Sequence, residues 1–144
     1  MMKNDNKLYY LFIIIFLSLT VLIGCERKKE YYDTYNDAKK SGIIDKGWFP
    51  QYIPENASNI TLEYDIDTNE VCSMFNYFSI NFSMSYEIVQ ANGSDIDIFR
   101  NVLKNSRCFD DGIKSMIIIS KIYKINSGYY IIRDENKVGY YISN

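Results

Sequence analysis

Histidine is absent from this chain. Its absence removes the side chain that titrates nearest neutrality, the commonest metal ligand and every Ser–His or Cys–His nucleophile pair. Carboxylate and lysine chemistry remain open, but no catalytic template is visible. There is no surplus of cations either: 16 Lys and Arg stand against 18 Asp and Glu, a net charge of −2. That excludes the basic footprint of a nucleic-acid binder. Proline occurs only twice and glycine seven times, beside fourteen tyrosines and many Asn, Ile and Lys. This bias reads as the habit of an AT-rich genome rather than as a functional signal.

The one long apolar run is too short to be a comfortable membrane span. Leu8 to Ile23 carries no charge and no proline. At about 1.5 Å of rise per residue it covers roughly 24 Å, less than the ~30 Å hydrocarbon core. It follows a start in which Lys3, Lys7 and the amino terminus outweigh Asp5. A positive segment followed by an apolar one is the pattern of a secretory signal.

The run ends in Leu22-Ile23-Gly24-Cys25 and meets the charged stretch Glu26-Arg27-Lys28-Lys29-Glu30. Those four residues resemble the lipobox of bacterial lipoproteins. The resemblance implies that residues 1–24 are a removed signal peptide and that Cys25 becomes the first residue, carrying diacylglycerol and palmitate-type chains. It implies a partner, the membrane, and a location in the cell membrane or outer membrane facing periplasm or exterior. Glu26 rather than Asp after the cysteine fits outer-membrane sorting of the enteric type. The spacing makes chemical sense, because a small residue before the cysteine admits the peptidase and a thiol is the nucleophile that accepts the lipid. The competing reading is an uncleaved anchor with Cys25 incidental. Eukaryotic acylation motifs do not fit, since residue two is Met2 and the chain ends Tyr141-Ile142-Ser143-Asn144.

With Cys25 so used, Cys72 and Cys108 are an even pair in an oxidising compartment, open either to a disulfide or to burial as two free thiols. The remaining chain is one domain's worth of residues. Residues 25–33 read as a solvated tether and 34–144 as a single α+β domain: a small antiparallel sheet, made of a hairpin plus a C-terminal meander, packed with two short helices. Asp33 or Thr34 can cap a helix ended by Gly42. Ile60, Leu62, Tyr64 and Ile66 alternate with polar residues and predict a strand with one buried face. Asp67-Thr68-Asn69 turns it into a second strand, Glu70 to about Phe82, with Cys72, Met74, Phe78 and Ile80 in one phase. Residues 84–91 are ambiguous. Ser94 or Asp95 can cap a helix carrying Ile96, Phe99, Val102 and Leu103 on one face. Met116 to Ile125 reads as a nearly continuous central strand, followed by strands from Tyr129 to Arg133 and Val138 to Ile142.

Three groups of residues bear on chemistry. Trp48, Phe49 and Tyr52, beside Pro50 and Pro54, form either a buried aromatic loop or a binding patch, and packing is the favoured reading. Asp65-x-Asp67-x-Asn69 opens like a calcium loop, but Glu70 and Asn76 occupy the positions that need glycine and an acid. A turn whose Asx side chains bond their own backbone is expected there, with no metal and no other cofactor. Asp65 with Asp67, or Asp110 with Asp111, could serve as paired carboxylates only in a cleft that raised their pKa values.

Tyr35-x-x-Ala38, Gly42, Gly47-Trp48-Phe49-Pro50-x-x-Ile53-Pro54-x-x-Ala57-x-x-Ile60, Tyr64-Asp65-Ile66-Asp67-Thr68-Asn69 and Phe75 together resemble a family of small, uncharacterised bacterial lipoproteins. The resemblance implies no activity. The expectation is a non-enzymatic envelope lipoprotein that binds a protein or envelope component. The alternatives are an immunity- or inhibitor-type lipoprotein neutralising a toxin or hydrolase, its acidic balance speeding capture of a basic partner, and a carboxylate-dependent hydrolase.

Overall fold

Alternating apolar residues become one antiparallel sheet in the computed structural model, which describes residues 10, 13–15, 27–80, 89–117, 120–125 and 128–143. Cys25, nearly all of the apolar run and residues 81–88, 118–119 and 126–127 lie outside these. Tyr10 and residues 13–15 are helical and exposed. No helix among the described residues is long and apolar enough to cross a membrane.

The elements run β1 (Arg27–Thr34), α1 (Tyr35–Lys40), β2 (Ser58–Asp65), β3 (Glu70–Asn76), β4 (Val89–Gln90), α2 (Gly93–Asn105), α3 (Asp111–Ile117), β5 (Lys121–Ile125), β6 (Gly128–Arg133) and β7 (Val138–Ser143). The strand order across the sheet is β1-β2-β3-β7-β6-β5-β4. The class is α+β, as the sequence predicts. The hairpin is β2–β3, with Asp65 opposite Glu70. The meander is β5–β6–β7. The last strand joins the two units, with Phe75 opposite Gly139.

Local chemistry sets the breaks. Thr34 caps α1 by accepting the Asp37 amide at 3.2 Å, and Gly42, at φ 77°, ends it in the left-handed region that glycine tolerates. Asn92 caps α2, accepting from the Ser94 and Asp95 amides at 3.1 and 3.2 Å while Asp95 reaches back to the Asn92 amide. That reciprocal capping box starts the helix before either of the expected caps. The Asp65 carboxylate accepts from the amides of Asp67 and Thr68, at 3.0 and 3.2 Å. This is the Asx turn the sequence predicts.

Both faces of the sheet are covered. Ile60, Leu62, Tyr64, Phe75, Tyr130, Ile132 and Tyr141 pack against Ala38 of α1 and against Ile43, Phe49, Ile53 and Ala57 of the segment that follows it. Cys72, Ile122, Tyr129, Ile131, Tyr140 and Ile142 pack under Phe99 and Leu103 of α2 and Ile117 of α3. Strands β6 and β7 are therefore buried on both sides, which is why they read as unbroken apolar runs.

Five expectations need correction. The tether at 25–33 is largely strand: from Arg27 onward it forms β1, paired to β2 from Arg27–Asp65 to Thr34–Ser58. Its charges hid it, because an edge strand with one open side tolerates Lys and Glu. The strand expected from Met116 begins only at Lys121. Before it, Asp110 accepts the Ile113 amide at 2.8 Å and nucleates α3, where Ile113 and Ile117, one helical turn apart, reach the second core. Tertiary burial overrides the strand preference of the β-branched run. The domain thus has three short helices among its described residues, one more than expected. Strand β3 stops at Asn76, leaving Phe78 exposed, and Ile66 is exposed on the turn rather than buried in β2.

Gly139 has a steric duty. A Cβ there would lie 2.4 Å from the Phe75 ring, whereas at Gly93 it would meet nothing within 4 Å. Overpacking of this kind costs about 1–3 kcal/mol. Gly139→Ala should lower the urea midpoint accordingly, and Gly93→Ala should leave it unchanged or slightly higher.

Glu30 ties the edge strand to the first core. Tyr32 donates to it, and so does Tyr64, at 2.7 Å. The Tyr32 hydrogen bond, aided by that from Tyr64 and working against burial, holds the Glu30 pKa below 4.5. Burial and the Glu30 bond push Tyr64 from 10 up to about 12. A lowered carboxylate stabilises the fold above its unfolded pKa and loses that contribution as pH falls through the folded value. A raised tyrosine does the reverse. Stability should decline below pH 4.5 and again between 10 and about 12. Denaturation across pH should show a shallower acid limb for Glu30→Gln and a shallower alkaline limb for Tyr64→Phe.

Candidate functional site

On the face opposite the aromatic loop, β1 and β2 extend past the helices and leave a cleft. It measures about 400 Å³ and lies between Lys29, Tyr31, Thr61 and Glu63 of the strands and the segment from Arg107 to Ile113. The pairing explains its floor. Tyr31 is opposite Thr61 and Thr61 opposite Met74, and one step along Lys29 is opposite Glu63 and Glu63 opposite Cys72. Cross-strand partners share a face, so these two rows form the base of the cleft. Tyr31, Met74, Phe109 and Ile113 make it apolar. Lys29, bonded to Glu63 at 2.6 Å, and the exposed Arg107 bring positive charge to its rim, and Asp110 brings negative charge. The Glu63 bond raises the Lys29 pKa and keeps the ammonium charged.

The far wall is held by a clasp. Cys72 of β3 and Cys108 are joined in a disulfide with Cα atoms 6.0 Å apart, both residues buried. Beside it Arg27 pairs with Glu70, lies 3.8 Å from Glu63 and points a guanidinium nitrogen at Cys108 Sγ, 3.6 Å away. The other Glu70 oxygen accepts from Ser106, whose hydroxyl in turn accepts the Cys108 amide at 2.9 Å. Lys114 of α3 donates to the Ser106 carbonyl at 2.9 Å. Glu70, Cys72 and Cys108 bring a carboxylate and two sulfurs close enough to hold a metal. In this structure the sulfurs bond each other and the carboxylate is engaged by Arg27 and Ser106. Phe109, next to the disulfide, adopts φ 62°, a left-handed conformation that is strained for a bulky residue. Its ring meets Tyr140 edge-on at 5.7 Å.

The residues singled out from the sequence fall elsewhere. Trp48 stacks on Tyr64 at 5.1 Å and Tyr52 on Tyr141 at 6.1 Å, while Phe49 meets Tyr35 edge-on at 5.6 Å. Phe49 is buried, and the other two are half-buried against the first core. They are packing, the favoured reading, and not an exposed binding patch. Of the carboxylate pairs, Asp65 is buried in its turn with Asp67 exposed outside it. Asp110 lines the cleft while accepting the α3 amide, and Asp111 opens that helix. Cys25 lies outside the described residues. Sequence reasoning missed Lys29, Tyr31, Arg107 and Phe109. The adjacent tyrosines of the supposed tether, Tyr31 and Tyr32, were the one hint, since tyrosine favours strands.

Residues 26–76 match the family described as the YbbD head domain, a stretch that takes in β1, α1, β2 and β3. Over that stretch the chain is similar to that domain. No curated protein and no solved structure matches the chain.

The clasp gives a coupled prediction. Replacing Cys72 and Cys108 together by Ala should cost about 3–4 kcal/mol, the loop-closure value for a bridge of this separation. Arg27→Ala should cost less in that background than in the native chain, because the 106–110 segment is then free to leave Glu70. A double-mutant cycle by urea denaturation should give a coupling of at least about 0.5 kcal/mol.

Proposed function

We propose that this is a lipoprotein of the bacterial envelope, anchored through Cys25, whose domain binds a protein partner without catalysing a reaction. The observation that carries the binding half is the cleft. It has an apolar floor of Tyr31, Met74, Phe109 and Ile113, charges at its rim and a wall fixed by a disulfide. It also adjoins β1, the edge strand of the sheet. An extended segment of a partner could add to that edge through its backbone and send alternate side chains into the cleft, the mode known as β-augmentation. The anchoring half is supported by the lipobox-like Leu22-Ile23-Gly24-Cys25 and by a fold whose first strand starts directly after it.

Metabolic labelling with a fatty-acid probe tests the anchor. The natural chain should take up label, and Cys25→Ala should take up none and leave the membrane fraction. A photo-crosslinking residue in place of Tyr31 tests the cleft. It should yield a discrete adduct in cells that is lost on Arg107→Glu, while the same residue at Glu135 gives none. Equal adducts at both positions would remove the cleft from the account.

A further inference from the structure

The spacing between Cys25 and the first strand fixes more than attachment. Only Glu26 separates Cys25 from Arg27, where β1 begins. Two residues span at most about 7 Å, so a lipid on Cys25 would hold the start of β1 against the bilayer. Arg27 is opposite Asp65, the last residue of β2. Because β2 runs antiparallel to β1, the turn that continues it, residues 66–69, projects past Arg27 at the end of the sheet where β1 begins. That turn carries an apolar side chain with no place in either core: Ile66 is 51% exposed. The turn is not slack. The buried Asp65 carboxylate holds the amides of Asp67 and Thr68, and Asn69 sits at φ 56°, a conformation Asn tolerates.

We infer that the end of the sheet bearing the Ile66 turn is the membrane-facing end of the domain, and that Ile66 enters the headgroup region of the bilayer. The inference rests on lipid attachment at Cys25. An apolar side chain held beside a covalent anchor needs no affinity of its own to reach that boundary, and burying it there is favourable. The opposite end carries the turn at residues 134–137, since Arg133 is opposite Val138, Val138 opposite Asn76, Asn76 opposite Ser58 and Ser58 opposite Thr34. The cleft, lined by Lys29 and Tyr31 of β1, then opens sideways close to the membrane.

The test uses the full chain, processed and lipidated in cells, with Ile66→Cys or Glu135→Cys carrying an environment-sensitive fluorophore. Each protein is placed on vesicles of phosphatidylcholine and phosphatidylglycerol, some containing headgroup spin-labelled lipid. Flotation is measured on the same samples. The expected result is flotation of both proteins and quenching at position 66 more than about twofold that at position 135. Flotation with equal quenching, or stronger quenching at 135, overturns the orientation while leaving the anchor intact. Failure of both proteins to float overturns the anchor and the orientation with it.

Discussion

The pairing of Arg27 with Glu70 is the contact on which the arrangement turns. It joins the first residue of the edge strand to the first residue of β3, and through the second oxygen of Glu70 it reaches Ser106. The disulfide between Cys72 and Cys108 lies alongside. Three distant parts of the chain meet there: the strand after Cys25, the hairpin, and the segment between α2 and α3. An exposed ion pair is worth little, but these side chains are about four-fifths buried, and a charge left alone in such a place is costly. The covalent bridge and the ionic one therefore support each other. The first keeps Ser106 beside Glu70, and the second anchors β1 where a loose tether would otherwise begin.

The sheet gives that clasp something rigid to hold. Its central strands β6 and β7 are buried on both faces, and the aromatic loop and α1 cover one side while α2 and α3 cover the other. The coverage is unequal. Helices shield the second face over β5, β6 and β7, but β1 and β2 project beyond them, and the exposed remainder is the cleft. The cleft is thus the consequence of one asymmetry, a sheet wider than the helices laid on it.

Much of this was legible in the residues. The hairpin followed from Ile60, Leu62 and Tyr64 alternating with polar neighbours, and the Asx turn from Asp65-x-Asp67-x-Asn69. The second helix followed from Ile96, Phe99, Val102 and Leu103 at helical spacing, although its cap is Asn92 and not the expected Ser94 or Asp95. What escaped did so for physical reasons. β1 is written in charges because only one of its sides is packed, so its apolar alternation is faint. The Met116–Ile117 stretch looks like a strand by composition, yet Asp110 supplies a helix start that no propensity scale weighs against tertiary burial. The cleft could not be foreseen, since Tyr31, Met74 and Phe109 come together only once β1 is known to pair with β2. The loop of Trp48, Phe49 and Tyr52 was visible, and its role as packing followed from the neighbouring prolines and the apolar residues around it.

The central claim is that folded structure begins at Arg27, with β1 integral to the sheet. Amide hydrogen exchange of residues 27–34 tests it most directly. In register with β2, the inward-bonded amides of this strand should be protected to nearly the degree seen in β2 and β3 and should lose that protection together on Arg27→Ala. Exchange across 27–34 at the rate of an unstructured peptide, with β2 and β3 still protected, would show a free tether there and would contradict the account.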